Sequence, residues 1–430
     1  MTQISLAFGS GALGLELPSD WAVQVITGRP TPPVADIPAA VRRALAAPVG
    51  SPPLRTVVAA GDKVAVVASD ITRSLHQDLF LPVLLDELNA AGIPDRDITL
   101  VVALGGHRRH TPEENVAAYG REVAGRVRIV QSYARDEDDF VCLGTTTRGV
   151  AAKINRHVVA ADKVILTGGI VYHSMAGFAG GRKSVIPGVA AYETIQANHR
   201  FCLSDAVGDG VNPRCDGGLL AGNPLHEDQL EIAAMLAPAF LLNAIPAPDG
   251  GFAGFVAGHW REAWAEGCRQ VAAIYGVPVR ERADLVIASA GGYPKDMNFY
   301  QATKATENAM AACKPGGVII AVLECRAIGE PPDFSGWFDI ASLRERELAL
   351  RENFTVPGFV ALKTGLSARR VHHIVVTLPE NRAFIEKAGM TPAATLLEAI
   401  ALAEARLSRD YTVTVMPHAA DTLPLLADDR

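Results

Sequence analysis

The chain is expected to be an α/β protein of two doubly wound, mostly parallel sheets, with its active site in the cleft between the two domains. Three observations carry that reading. Apolar runs of strand length, KVAVVAS (63–69), ITLVVALG (98–105) and KVILTGG (163–169), alternate with stretches that read as helices, and parallel neighbours require such crossovers. The runs are continuously apolar, as strands covered on both faces are. Finally, 430 residues exceed what one core holds, and a second strand, Gly-Gly loop, helix and strand series opens at Ala283.

Residues 1 to about 60 read as short strands and turns, a proline-rich crossing (GRPTPPVADIP) and a helix through AVRRALAA. The first parallel strand then ends at Asp70, with Thr72 and Arg73 just beyond it, and the helix HQDLFLPVLLDELNAAG follows. A second unit runs from strand 98–105 through Gly105-Gly106 and His107 to a Thr-Pro-Glu-Glu helix start. The third strand breaks at Gly168-Gly169 and leads to His173. Beyond Arg200 lies a long irregular loop, read as a cover over the site, and then a helix. HWREAWAEGCRQVAAIYG is a linking helix ending at Gly276, with Pro278 after it. Residues 1–265 are assigned to an N-terminal catalytic domain, 266–280 to the link and 281–409 to a smaller C-terminal domain. Residues 410–430 are expected to pack back on the first domain.

Composition narrows the function. A net charge of −7 offers no basic surface to a nucleic acid backbone. No run approaches the roughly 18 apolar residues of a membrane span, and the start, MTQISLAFGSGALGLELP, lacks a cationic segment followed by an apolar one. A cytoplasmic protein is expected. Six scattered cysteines without a C-x-x-C pair suggest reduced thiols and neither a zinc site nor a disulfide framework.

The chemistry concentrates between Val164 and Arg200, where glycines flank Arg182, Lys183 and Ser184 and where His173 and His199 also lie. A phosphate-binding P-loop needs glycine directly before the lysine, and Arg182 stands there instead. Ligands of open parallel sheets bind beyond the carboxyl ends of the strands. Asp70 with Arg73, His107 and His173 each follow such an end, so three segments bring polar groups to one rim. Two histidines there can serve as general bases on opposite faces of a substrate. On the helix starting near Asn298, Tyr300, Gln301 and Lys304 share one broad face near the N-terminus, suited to a carboxylate. His199 has no H-x-x-x-H or H-E-x-x-H partner, so a metal held there needs other ligands from a cofactor. His76, His110, His157, His226, His259, His372, His373 and His418 are read as structural or surface residues.

Six motifs in order, Asp70-Ile-Thr-Arg73, Gly-Gly-His107-Arg, Tyr172-His173-Ser, Gly-Gly-Arg-Lys183-Ser, Ala-Asn-His199 and Tyr300-Gln301-Ala-Thr-Lys304, make the chain resemble the lactate racemase family that carries a nickel-pincer nucleotide. The likeness spans residues of about 60 to 310. It implies that Lys183 holds the cofactor, nickel pyridinium-3-thioamide-5-thiocarboxylic acid mononucleotide, covalently, and that His199 is the protein ligand of the nickel. Asp70 would support Arg73 or the cofactor, and Thr72, Arg182 and Ser184 the cofactor. His107 and His173 are similar to the family's acid/base pair, and Arg73, Tyr300, Gln301 and Lys304 to its substrate-holding set. The implied reaction is racemisation or epimerisation of a small 2-hydroxy acid by reversible hydride transfer, on a protein loaded by cofactor maturation enzymes. Competing readings are a carrier that only sequesters the nickel cofactor and a nucleotide-dependent phosphotransferase, the latter disfavoured by the broken P-loop.

Overall fold

The computed structural model describes residues 3–18, 21–73, 75–248, 250–340 and 342–426. The chain divides into two units, one of residues 30–202 and 214–272, the other of residues 1–29, 203–213 and 273–430.

The first unit is built on a six-stranded sheet in the order Phe252–Gly258, Phe240–Pro246, Lys163–Gly169, Val64–Ser69, Ile98–Gly105, Arg128–Tyr133. All neighbours are parallel except the edge pair Phe240–Pro246 and Phe252–Gly258. Val64–Ser69 is buried along nearly its whole length, which explains its unbroken run of valine and alanine. Two helices that follow strands of this sheet close over it. Leu81–Ala90 buries five residues, and Pro112–Arg126 begins with the capping box of Thr111 and Glu114. From Val64–Ser69 the chain moves outward to Ile98–Gly105 and Arg128–Tyr133, then returns to the other side at Lys163–Gly169. The connections therefore diverge between Val64–Ser69 and Lys163–Gly169, the place where a doubly wound sheet opens a crevice.

The second unit carries a fully parallel sheet in the order Thr391–Ala393, His372–Val376, Cys313–Val322, Ala283–Ser289, Thr412–Met416, Ala22–Val25. Its layers bury one apolar cluster around Phe299, Ile319 and Phe334 and another around Ile287, Ile320 and Val415.

Both expected sheets are present, but two boundaries move. Residues 1–29 belong with the C-terminal unit, because Ala22–Val25 pairs with Thr412–Met416. The described residues after 410 take their strand partners from the C-terminal unit. Thr412–Met416 lies between Ala283–Ser289 and Ala22–Val25, and Leu423–Leu426 pairs with Gly276–Val279. The reason is backbone satisfaction: a buried apolar strand needs ladder partners on both sides, and those partners lie far away in sequence. Helix Glu262–Tyr275 takes the place of the expected link, with the division at residues 272/273 near its end. Part of the expected cover, residues 203–213, goes with the C-terminal unit, tied by Glu347 to the Gly208 N–H (3.0 Å) and by Arg351 to the Ser204 carbonyl (2.7 Å).

Candidate active site

The turn after Val64–Ser69 is organised by Asp70, which is 4% exposed. Its Oδ1 accepts from the Thr72 N–H at 2.9 Å and the Thr72 hydroxyl at 2.5 Å, while Oδ2 faces His107 Nδ1 at 2.5 Å. Burial pushes the Asp70 carboxyl up, but the bond and charge of His107, the Thr72 hydroxyl and the Arg73 charge outweigh it and hold the group below its ordinary value. An ionised carboxylate only accepts, so the proton of neutral His107 sits on Nδ1 and Nε2 presents its lone pair. His107 is exposed, with its Nδ1 edge tied to Asp70.

Three residues outside the expected site set hold this turn, among them His110, read from sequence as structural or surface. His110 Nε2 accepts from the Ile71 N–H at 3.1 Å, which leaves Nδ1–H for Asn115 Oδ1 at 3.0 Å. Gln77 accepts from the Ser69 N–H and donates to the Ser69 carbonyl, at 3.1 and 2.7 Å, and so pairs the backbone of the strand's last residue. The Tyr119 hydroxyl donates to the same carbonyl at 3.0 Å. The available signal was position alone: His110 stands directly before the Thr111 cap, three residues past His107.

The second cluster follows Lys163–Gly169. Tyr172–His173 pairs antiparallel with Gly177–Phe178 in a tight hairpin. His173 Nδ1 accepts from the backbone N–H groups of Met175 and Ala176, both at 3.2 Å. Burial, then the charges of Lys183, Arg73, His199 and Arg182, push the His173 imidazolium well below its ordinary range. Those four groups therefore lie close enough to act on one imidazole.

The lysine loop is anchored from below. Gly181 has φ +53°, donates its N–H to Asn243 Oδ1 at 2.9 Å, and would drive a Cβ to within 2.5 Å of the Trp264 ring, so only glycine fits. Arg182 is fully buried and turns away from the rim. It donates to the Phe178 and Ala176 carbonyls at 2.9 and 2.6 Å, with its guanidinium 4.2 Å from the Trp264 ring centre. It thus fastens the lysine loop to the His173 hairpin. The Ser184 hydroxyl donates to the Thr167 carbonyl at 3.0 Å. Thr72, Arg182 and Ser184, which the resemblance placed around a cofactor, all have polar side-chain atoms bonded to protein. Their visible work is to shape the site.

Lys183 and His199 are the groups with chemistry to offer. Burial, with the charges of Arg182 and Arg73, lowers the Lys183 ammonium to about 7, so a sizeable share is neutral, nucleophilic amine near neutral pH. Burial and the Lys183 charge push His199 down to about 3. Its Nδ1–H donates to the Ile195 carbonyl at 2.8 Å, one turn back in helix Tyr192–His199, which makes Nε2 the ring's electron-pair donor. A backbone carbonyl on the far nitrogen is the usual support of a metal-binding imidazole. Among the described residues, no three His, Cys, Asp or Glu side chains converge as a metal cage.

The C-terminal unit carries Tyr300, Gln301 and Lys304. After Ala283–Ser289 the chain turns through Gly291 and Gly292 into helix Phe299–Ala312, capped by Asn298 Oδ1 on the Gln301 N–H at 2.8 Å. Lys304 Nζ donates to Gln301 Oε1 at 3.1 Å, and Tyr300 packs on Phe334 with ring centres 5.1 Å apart. The three side chains start from one helix turn, as their spacing predicts.

Comparison with known proteins agrees with this layout. The lactate racemase N-terminal domain model matches residues 8–210, and the lactate racemase C-terminal domain model residues 279–423. A lactate racemase from Thermoanaerobacterium thermosaccharolyticum is 31% identical over 425 residues, 97% of this chain and 98% of the relative. One from Lactiplantibacillus plantarum is 33% identical over 385 residues, 88% of each chain. The lactate racemase apoprotein structure from T. thermosaccharolyticum superposes with a TM-score of 0.88 at 30% identity, covering 99% of this chain and all of that one. A Thermotoga maritima protein with a TM-score of 0.61 at 16% identity, covering 91% and 97%, shares the fold. With sequence and structure matched across both units, the carrier and phosphotransferase readings give way to an isomerase: the chain belongs to the lactate racemase family.

Proposed function

We propose that the protein racemises or epimerises a 2-hydroxy acid, lactate or a close relative, with a nickel-pincer nucleotide bound through Lys183 and His199. The observation that carries the reading is the pairing of a half-neutral lysine with a histidine whose Nδ1–H is committed to a carbonyl. One is fit to form a covalent amide-type bond, the other to give a metal a single nitrogen. The positive groups around them, Arg73 and Arg182, suit an anionic nucleotide and an anionic substrate. When bound, that group supplies the acceptor and donor of the C2 hydride.

The chain's own residues supply the rest. Arg73 offers a planar fork to the substrate carboxylate, and Tyr300, Gln301 and Lys304 form the substrate-holding set of the C-terminal unit. His107, oriented by Asp70, takes the hydroxyl proton at Nε2, and Asp70 stabilises the imidazolium that results. His173 faces the substrate oxygen from the other cluster.

The test is the intact mass of protein produced together with the cofactor's maturation enzymes. A covalent adduct on the wild type, absent from Lys183→Ala, is expected, together with racemisation of an added 2-hydroxy acid. An adduct that survives Lys183→Ala refutes the attachment site.

A further inference from the structure

His199 is the last residue of helix Tyr192–His199, which has 8 residues. A helix that short is marginal without tertiary support. Its neighbour Asn198 is fully buried, and its amide is bonded on both sides. Asn198 Nδ2 donates to Asp228 Oδ2 at 2.7 Å and to the Leu225 carbonyl at 3.3 Å, while Asn198 Oδ1 accepts from Gln229 Nε2 at 3.1 Å. Leu225, Asp228 and Gln229 all stand on helix Pro224–Leu236. Asp228 is fully buried as well. Its Oδ1 accepts from the Thr146 hydroxyl at 2.6 Å, and that hydroxyl accepts in turn from the Val150 N–H at 3.0 Å.

This is a costly way to join two helices. Burial pushes the Asp228 carboxyl up, more than its bonds to Thr146 and Asn198 bring it down, and Gln229 Oε1 has no partner among the described residues. Replacing both partners of a buried hydrogen bond by apolar groups of the same shape can be nearly neutral. What apolar groups do not supply is direction. Both Asp228 oxygens accept, so the Asn198 amide is held with its NH₂ toward Asp228 and its oxygen toward Gln229. The last turn of the helix is thereby fixed against rotation about its axis. Successive residues stand about 100° apart around a helix, so a locked Asn198 sets where the His199 side chain leaves the backbone. The Nδ1–H bond to the Ile195 carbonyl then orients the ring within that frame.

Resting on the reading of His199 as the nickel ligand, we propose that Asp228 is a positioning residue: through Asn198 it fixes the helix end that presents His199, and so governs how firmly that imidazole holds the metal.

The first arm of the test is hydrogen exchange in apoprotein, read on peptides covering residues 192–202. In Asp228→Ala and Asn198→Ala the amides of the last helical turn should exchange about 10- to 100-fold faster than in wild type, the loss of one buried hydrogen bond. Asp228→Asn keeps an acceptor for Asn198 once the Thr146 hydroxyl turns, and should stay close to wild type. Unchanged exchange in both alanine variants overturns the proposal. The second arm uses protein loaded by the maturation enzymes. All four proteins should carry the same covalent adduct by mass, while nickel leaves to a chelator about 10- to 100-fold faster from the two alanine variants. Wild-type nickel retention in folded, adduct-bearing Asp228→Ala and Asn198→Ala also overturns it. Should Asp228→Ala fail to fold, Asn198→Ala, which places a strong helix former, decides alone. Wild type that carries neither adduct nor nickel refutes the cofactor reading, and the exchange comparison still decides whether Asp228 fixes the end of the helix.

Discussion

Replacing Asp70 by asparagine should invert the tautomer of His107 while leaving the fold almost untouched. Asp70 Oδ1 accepts two bonds from Thr72, at 2.9 and 2.5 Å, and Oδ2 accepts one from His107. Asparagine has a single carbonyl oxygen, and the two Thr72 donors compete for it more strongly than one imidazole does. The new NH₂ then faces His107 Nδ1, which must become an acceptor, so that the ring's proton moves to Nε2 and the base becomes a donor. One charge-assisted hydrogen bond, worth about 1.5–3 kcal/mol, is lost, but so is the cost of burying a carboxylate. The net stability change should be only about 1 kcal/mol. Loss of a general base costs about 10²- to 10⁴-fold in rate, equivalent to about 2.7–5.4 kcal/mol at 1.36 kcal/mol per decade. Urea unfolding of the apoprotein and the initial racemisation rate of loaded enzyme, measured on one preparation, separate the two quantities. A variant that unfolds near the wild-type midpoint and keeps kcat within about threefold would refute the assignment of His107 as a base oriented by Asp70.

Other outcomes follow from the same geometry. With Lys183 lowered to about 7 from 10.5, the unfolded chain binds a proton there that the folded one does not between those pH values, so apoprotein stability rises with pH across that window. Lys183→Met should flatten the rise and raise the urea midpoint at pH 7; an unchanged profile would show that the ammonium is not destabilised. His199→Ala should keep the covalent adduct by mass but lose most of the nickel by metal analysis, and a full nickel complement would move the ligand elsewhere. His110→Ala leaves the Ile71 N–H and Asn115 Oδ1 without their partner. It should cost about 1–3 kcal/mol in denaturant titration and lower kcat more than it raises KM, whereas an unchanged kcat would limit His110 to a structural role.

Much of the fold could be read locally. Continuous apolar runs ending in Gly-Gly identified the central strands, because a parallel strand buried on both faces excludes polar residues along its length. The same runs placed Asp70, His107 and His173 at one edge, since strands that pair in parallel register end together. The spacing of Tyr300, Gln301 and Lys304 fixed their common origin on one helix turn. What depends on pairing across distance was not legible. Nothing local in TVTVM reveals that its neighbours are Ala22–Val25 and Ala283–Ser289, so both ends of the chain were assigned to the wrong body. The orientation of side chains was equally hidden. Arg182 stands beside Lys183 in sequence, but the 0% exposure of one and the partial exposure of the other follow from Trp264 and the Phe178 carbonyl. Two histidines that look alike as letters also differ in kind, because a carboxylate meets Nδ1 of His107 and two amides meet Nδ1 of His173. Residue type determines which protons a side chain can carry. Only the tertiary structure, by setting a donor or an acceptor against each nitrogen, decides where the proton sits.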